Sequence, residues 1–580
     1  MTPLLPPSLL RLTGLALLAG ALAAAPARAQ VPGWQAVATA TNSSLSSIYV
    51  PATANVIAST PTSGGDLILV GSFTGTVTFG STTLSNNVTS GRCTYVARFR
   101  PGTNSFVWAV QVNGSAGGTS DNQPAAVAVA GNSIYVAGNF NQSTTNFGSQ
   151  PYNITGGMGG YVAKLTDTGS SASWTWVQPI RSSSNTAPVT ALAVSGTSVY
   201  VAGIFNAALH FGSFILNSNL AGSRDLFVGR LTDAGRDVIV DWVEVAVGIN
   251  GITAQALAVE GTAVYVAGGL AGSGRFGAAS IPSGALIPNP YLARLTDTGT
   301  SGRFTWASRL GTTNVGTVGS RANQLLHHNG ALYAAGTYSV GLVLTGGATL
   351  TSAGSTDAFI TKLTDTGTGP SVVWALSGGG SGTDTGTSLA AEGPALYLGG
   401  TFGGASASFG SRTLLNSGPT TTSDVFLSRL DDAGPSASFA WTLGAGGTGN
   451  ETAGAVVPLG GFTYLLGSVV PPATFGNVPV LAGVSAQPRA FVATATPTLT
   501  ATTAALATQV QLFPNPAAGR VRLELPAGPA AVQLRNALGQ VVLQRTTAST
   551  TLDLRHLPAG VYGLRVALPG GAVTKRLVLE

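Results

Sequence analysis

Four histidines, one cysteine and 21 acidic residues are the groups from which this 580-residue chain could assemble acid–base or metal chemistry. His327 and His328 are adjacent in an expected strand, where alternate residues face opposite ways, so they do not chelate one ion without a bulge. His210 precedes Phe211 in a link between strands, and His556 lies near the C-terminus. Five aspartates, Asp167, Asp233, Asp297, Asp365 and Asp432, stand in Asp-x-Gly turns. Aspartate bonds its own downstream backbone and glycine accepts positive φ, so each is expected on its own hairpin, far from the next. Calcium needs several oxygens at one point, and turn formation is the expected role. A second acidic set, Asp121, Asp384 and Glu451, lies in Gly-rich loops (GGTSDNQ, GSGTDTG, GTGNETAG) at equivalent places of three repeats. Sharing one face, these three would form a binding or ion site. No Gly-x-Ser-x-Gly elbow, phosphate loop, His-Glu-x-x-His or metal-spaced cysteine set is present. No catalytic, cofactor-binding or metal-ligating residue is therefore assigned, and no cofactor is expected. Cys93 has no disulfide partner and is expected as a small buried apolar residue.

The elements that would position these groups are repeats. The stretch ALAVSGTSVYVAGIF (191–205) recurs as AVAVAGNSIYVAGNF (126–140) and ALAVEGTAVYVAGGL (256–270), with looser copies at 324–338, 388–402 and 455–469 and a degraded one around 66–73. The register Ile68, Tyr135, Tyr200, Tyr265, Tyr333, Tyr397, Tyr464 sets a period of about 66 residues. Each repeat offers four short β-type runs: an ALAV strand, a VYVAG strand, a DLFVGRL strand ending in the Asp-x-Gly turn, and a strand carrying Trp34, Trp108, Trp176, Trp242, Trp306, Trp374 or Trp441. One tryptophan per repeat at a fixed place indicates core packing.

Charge is sparse, at 8% of residues, while 44% are hydrophobic and 79 are glycine. The regular β-type runs argue against disorder. The net charge of +6 is unevenly placed. Residues 31–508 hold 17 basic and 18 acidic residues, so the repeats carry no basic track for nucleic acid.

The ends of the array are complementary. The last DLFVGRL-type strand, Phe491–Ala495, has no Trp strand after it, and the Trp34 strand has no such strand before it. Their pairing would close a ring and satisfy two exposed edges. DLFVGRLTDAG (225–235) with VYVAG (264–268), and DAFITKLTDTG (357–367) with LYLGG (396–400), resemble a bacterial seven-bladed β-propeller repeat family. The resemblance covers nearly all of 31–495. It implies an all-β fold: a seven-bladed β-propeller over 30–495 whose last blade is completed by the Trp34 strand.

Residues 1–29 read as a signal peptide, with Arg11, an apolar run at 12–25, and cleavage between Ala29 and Gln30. No later stretch is long and apolar enough for a membrane-spanning helix. Residues 496–508 are a Thr/Ala-rich linker. From 509 to 580 strands separated by turns suggest a small C-terminal β-sandwich (Ig-like). Its motifs are Phe513-Pro514-Asn515-Pro516, Leu538-Gly539-Gln540, Gly560 with Tyr562, and the closing strand with Lys575. They resemble the type A C-terminal sorting domain of type IX secretion. The resemblance implies export through the periplasm by that machinery, then release or attachment at the cell surface.

The expected function is a secreted or cell-surface interaction protein, non-catalytic, that binds glycan or protein. The alternatives are a structural surface or matrix component without a discrete ligand, and an extracellular polysaccharide hydrolase or lyase. The hydrolase or lyase would need paired carboxyls and aromatics gathered at one end of the ring.

Overall fold

The computed structural model describes residues 32–495 and 510–580, apart from 43–52, 55–57, 87–90, 115–120, 141–143, 149, 154–158, 183–187, 219–223, 285, 313–317, 482–486, 526–529, 537–540, 549 and 569–570. The signal peptide with Ala29 and Gln30, the 496–508 linker, and Leu538, Gly539 and Gln540 lie outside the described residues. The chain divides into two compact units, one within Pro32–Pro497 and one holding the C-terminal residues to Glu580. Both are built of strands joined by turns and bends; among the described residues the helical structure is one three-residue 3-10 turn at Pro101–Thr103.

Among the described residues of the larger unit, seven antiparallel sheets repeat one strand order. Sheet 3 shows it: Val189–Ser195, Ser198–Phe205, Asp225–Asp233 and Val238–Gly248, each paired with the next. Sheet 2 runs from Gln123 to Ser182, sheet 4 from Ala256 to Arg309, sheet 5 from Arg321 to Gly380 and sheet 6 from Thr385 to Gly447. Sheet 1 begins at Ala58–Pro61 and ends at Ser105–Gly114. Sheet 7 takes Thr452–Leu459, Phe462–Val469 and Arg489–Ala495, and its fourth strand is Trp34–Thr39 from the other end of the chain. Trp34 lies opposite Ala495, and Thr39 opposite Phe491.

The second strand of each sheet is buried along nearly its whole length, and its two-residue period sorts the side chains between neighbours. In sheet 3, Val199 and Val201 join the apolar cluster shared with sheet 2, while Tyr200 and Ala202 join the cluster shared with sheet 4. A further cluster joins Leu466 and Val492 of sheet 7 to Leu69 and Tyr95 of sheet 1, and another holds Trp34 between sheets 6 and 7. The first strands pack in cyclic order, the strand of sheet 7 lying against both that of sheet 6 and that of sheet 1. Each fully buried Val or Leu side chain contributes about 1.5–3 kcal/mol, so these shared clusters hold the sheets together.

The four-strand reading of the repeat needs correction. The link carrying Phe211-Gly212 is itself a hairpin, Ala208–Phe211 with Phe214–Asn217, and it pairs back onto the fourth strand of sheet 2. Equivalent hairpins extend sheets 1, 3, 5 and 6, and those at 341–351 and 76–85 pair with short strands following sheet 4 and the Trp34 strand. Three- and four-residue strands are too short to show alternation in the sequence. The chain reverses at Gly212 with φ of 60°, a conformation that favours glycine.

The C-terminal unit has a three-stranded sheet (Gln511–Phe513, Arg520–Glu524, Thr550–Asp553) and a four-stranded one (Ala530–Arg535, Val541–Thr547, Gly560–Leu568, Gly571–Leu579). Val521, Leu523 and Leu552 of the first share one core with Val532, Leu564 and Leu577 of the second.

Candidate functional site

The turn aspartates are more than turn formers. Asp233 Oδ1 accepts from the amide of Gly235 at 3.0 Å, as an Asp-x-Gly turn requires. The same oxygen accepts from Trp176 Nε1 of the preceding sheet at 3.0 Å. Oδ2 accepts from Tyr135 Oη at 2.5 Å and from Lys164 Nζ at 2.6 Å, both also of that sheet. Asp297 repeats the pattern with Trp242, Tyr200 and Arg230, Asp365 with Trp306, Tyr265 and Arg294, and Asp432 with Trp374, Tyr333 and Lys362. Asp167 has Trp108 and Arg98, with Ile68 where the others have tyrosine. Each of these five junctions is thus pinned by one carboxylate. Burial pushes the carboxyl of Asp233 up, but Lys164, Tyr135, Trp176 and the Gly235 amide outweigh it and hold it below the usual range. Each aspartate does sit on its own hairpin, as expected; what the spacing does not show is that the turn also lies against the preceding sheet.

The loop acids do not converge on one site. Asp384 and Glu451 are equivalent: the amide of each bonds the carbonyl of the residue before a third strand, Thr356 and Ser423. In sheet 2 that place belongs to Asn122, whose amide bonds Arg92 O, so Asp121 is one position out of register. Asp121 instead takes a two-point contact from Arg92, at 2.7 and 2.9 Å, and a bond from Gln123. Burial raises its carboxyl, and the Arg92 guanidinium overrides this to hold it low.

Asp384 and Glu451 are completely buried. Asp384 accepts from the amides of Gly380 (2.7 Å) and Gly403 (3.1 Å), and Glu451 from those of Gly447 (3.3 Å) and Val470 (3.2 Å). Each faces a second buried acid that opens a third strand, Asp357 or Asp424. Burial, with a smaller push from Asp357, raises Asp384 to about 6; burial and Asp424 raise Glu451 to about 7. These partners were not singled out from the sequence. A usable signal is the glycine pair five and four residues before the loop acid, Gly379-Gly380 and Gly446-Gly447, opposite the strand-opening aspartate.

Where the first strands meet, a cavity of about 180 Å³ is lined by Ser59, Thr190, Gln255, Gln324 and Ser388 together with Ala, Leu, Val and Gly of the same strands. Five of these strands carry a β-bulge at this level, between Pro124 and Ala126, Val189 and Ala191, Ala322 and Gln324, Gly386 and Ser388, and Ala453 and Ala455. A bulge leaves one residue out of the ladder and re-aims its polar groups. Some are used sheet to sheet: Asn323 Nδ2 donates to Gly386 O, Gln324 Nε2 to Thr387 O, and Thr387 Oγ1 to Ala453 O, at 2.8–2.9 Å. No lining residue is ionisable, so the cavity offers hydrogen bonds and apolar contact without a group to transfer protons.

The remaining candidates are scattered. His327 Nδ1 lies 3.1 Å from Glu260 of sheet 4, and His328 Nε2 is 2.7 Å from Gly393 O of sheet 6. Cys93 is buried, and burial raises its thiol to about 11. Among the described residues no three His, Cys, Asp or Glu come together to hold a metal ion, and no helix is long and apolar enough to cross a membrane. In the C-terminal unit, Asn515 clamps the last strand, donating to Arg576 O (2.7 Å) and accepting from the Val578 amide (2.9 Å). Phe513, next to Pro514 and Pro516, lies under the guanidinium of Arg522. Tyr562 Oη donates to Pro558 O at 2.7 Å; Gly560 opens the strand that Tyr562 occupies, and Lys575 lies in the last one.

Residues 511–580 match the family described as Secretion system C-terminal sorting domain. No curated protein matches the chain. Solved structures similar to it include a protein of unknown function from Dyadobacter fermentans, at 11% identity over 79% of this chain and 99% of that one (TM-score 0.33). PorZ, a surface component of the type-IX secretion system of Porphyromonas gingivalis, shares 11% identity over 90% and 81% (TM-score 0.23). The phage phi92 endosialidase shares 10% over 90% and 75% (TM-score 0.36). The sorting domain marks an exported protein, carried through the periplasm and then secreted or attached to the cell surface by the type IX system.

Proposed function

We propose that this exported protein is a non-catalytic interaction module, a propeller whose blades are the seven sheets, and that it binds glycan or protein outside the cell. The observation that supports this is the cavity where the first strands meet. Its side chains are neutral hydrogen-bonding groups set among small apolar ones, the surroundings that suit an uncharged polar ligand. The polysaccharide hydrolase or lyase reading would draw on carboxyls such as Asp384 and Glu451, and these are sealed from solvent. The test is a glycan array probed with the full chain, paired with surface adhesion of a strain lacking the protein. Retention of neutral oligosaccharides, weakened by Gln255→Ala with Gln324→Ala, is the expected result. A blank array together with unchanged adhesion overturns the proposal and leaves the matrix role.

A further inference from the structure

Two pairs of acids are sealed inside the larger unit, and among the described residues no base pairs with them. Asp357 is 4% exposed, Asp384 0%, Asp424 1% and Glu451 0%. The pairs are built alike. In each, the strand-opening aspartate takes a loop amide on Oδ2, from Ala353 to Asp357 and from Ser417 to Asp424, both at 2.9 or 2.8 Å. The loop acid takes one amide from its own sheet and one from the residue after the second strand of the next sheet, Gly403 or Val470. The pairs therefore span the junctions between sheets 5 and 6 and between sheets 6 and 7. A bare glycine makes room for each. A Cβ on Gly379 would stand 2.6 Å from Asp357 Oδ1 and 2.7 Å from Asp384 Oδ2, and one on Gly446 would collide with the carboxyl of Asp424.

The other charged or titratable groups around the pairs are few. Asp384 is acted on by Asp357 and two amides, and Glu451 by Asp424 and two amides. Asp357 has the Ala353 amide and Ser352, with Tyr338 nearby; Asp424 has Ser417, the Gly447 amide and Glu451. No lysine, arginine or histidine is among them. Two ionised carboxylates in such surroundings repel each other and lose their hydration, and the usual resolution is one shared proton. The orphaned oxygens agree with that. Oδ1 of Asp357 and Oδ1 of Asp424 are buried and receive no hydrogen bond. As a carboxylate oxygen each would be an unsatisfied acceptor; as an O–H each becomes a donor aimed at its partner acid. A divalent cation would need several more oxygens than these pairs leave open, since amides already occupy both oxygens of Asp384 and of Glu451.

We infer that Asp357–Asp384 and Asp424–Glu451 are two buried proton-binding sites, each holding one proton between two carboxyls and closing one sheet-to-sheet junction. Loss of that proton to solvent leaves two buried negative charges and loosens the junction. Burial and the facing acid raise Asp384 and Glu451, so the sign follows from linkage. The stability these pairs contribute is fully present below about pH 4, where the acids are neutral folded or unfolded, and is lost as pH rises through about 6 and 7.

The test uses the full chain and the double variant Asp357→Asn with Asp424→Asn. The amide keeps the Oδ acceptor for Ala353 or Ser417 and places an N–H where the shared proton would be. The melting temperature of the wild type should fall between pH 5 and pH 8, and that of the variant should fall less and lie above the wild type at pH 8. A variant with the wild-type pH profile overturns the inference. So does calcium chloride raising the melting temperature of the wild type but not of the variant. Infrared spectra of the native wild type supply a measurement independent of whether the variant folds. At pH 6, where ordinary carboxyls are ionised, a protonated-carboxyl band should persist and then vanish by pH 8.5; its absence at pH 6 overturns the inference.

Discussion

Lys164 and Asp233 are 69 positions apart and meet at 2.6 Å, lysine of sheet 2 on the turn of sheet 3. Tyr135 and Trp176 converge on the same carboxylate, so one side chain gathers three others from the neighbouring sheet. The arrangement recurs in full at Asp297, Asp365 and Asp432 and in part at Asp167. It is missing where sheet 6 meets sheet 7, because the third and fourth strands of sheet 7 come from opposite ends of the chain and no turn joins them.

Removing the Asp233 carboxylate leaves the buried Lys164 ammonium without its counter-charge. Asp233→Ala should destabilise the larger unit by about 3 kcal/mol, the usual consequence of deleting one partner of a buried ion pair. Tyr135→Phe, which deletes a single hydrogen bond to the same group, should cost about 1 kcal/mol. Urea unfolding followed by tryptophan fluorescence measures both, and equal losses would show that the carboxylate has no special place.

These aspartates set the acid limb of stability. Burial raises Asp233, Asp297 and Asp432, but their hydrogen bonds and the facing lysine or arginine outweigh it, and all three are held below the ordinary 3.8. A depressed carboxyl contributes stability above its unfolded value and loses it as pH falls through the folded one. The urea midpoint should therefore drop steeply below about pH 4, and Asp297→Asn should make that drop shallower.

At the seam, Trp34 packs edge-on against Phe475 at 5.3 Å and donates to Gly444 O at 3.0 Å. Trp34→Ala should cost about 3–5 kcal/mol. It should also expose the edge of Arg489–Ala495, read as faster proteolysis near residue 495 than in Trp374→Ala, whose strand stays tied by a hairpin turn.

Deleting 511–580 should leave the protein in the periplasm. Cell fractionation measures this, and a truncated chain recovered outside the cell at the full-length level would contradict it. Asn515→Ala, which releases the clamp on the last strand, should reduce export without abolishing it.

Period and pattern alone made the all-β fold legible, because alternating and fully apolar runs between Gly-rich turns leave little choice of local structure. The sorting tail was equally plain from its turn motifs. Glycine, tryptophan, tyrosine and aspartate each stood out by recurrence. What recurrence could not supply was the partner of each residue. Asp233 reads as a turn former because its bond to Gly235 is local, whereas its bonds to Tyr135, Lys164 and Trp176 cross between sheets. Asp384 and Glu451 read, with Asp121, as members of one loop site because all three sit in Gly-rich loops at equivalent places. Only the fold shows that the glycines make room to bury Asp384 and Glu451 against Asp357 and Asp424. Local hydrogen bonding and side-chain period are written along the chain, but burial and charge pairing depend on which sheet lies beside which, and that is decided when the sheets pack.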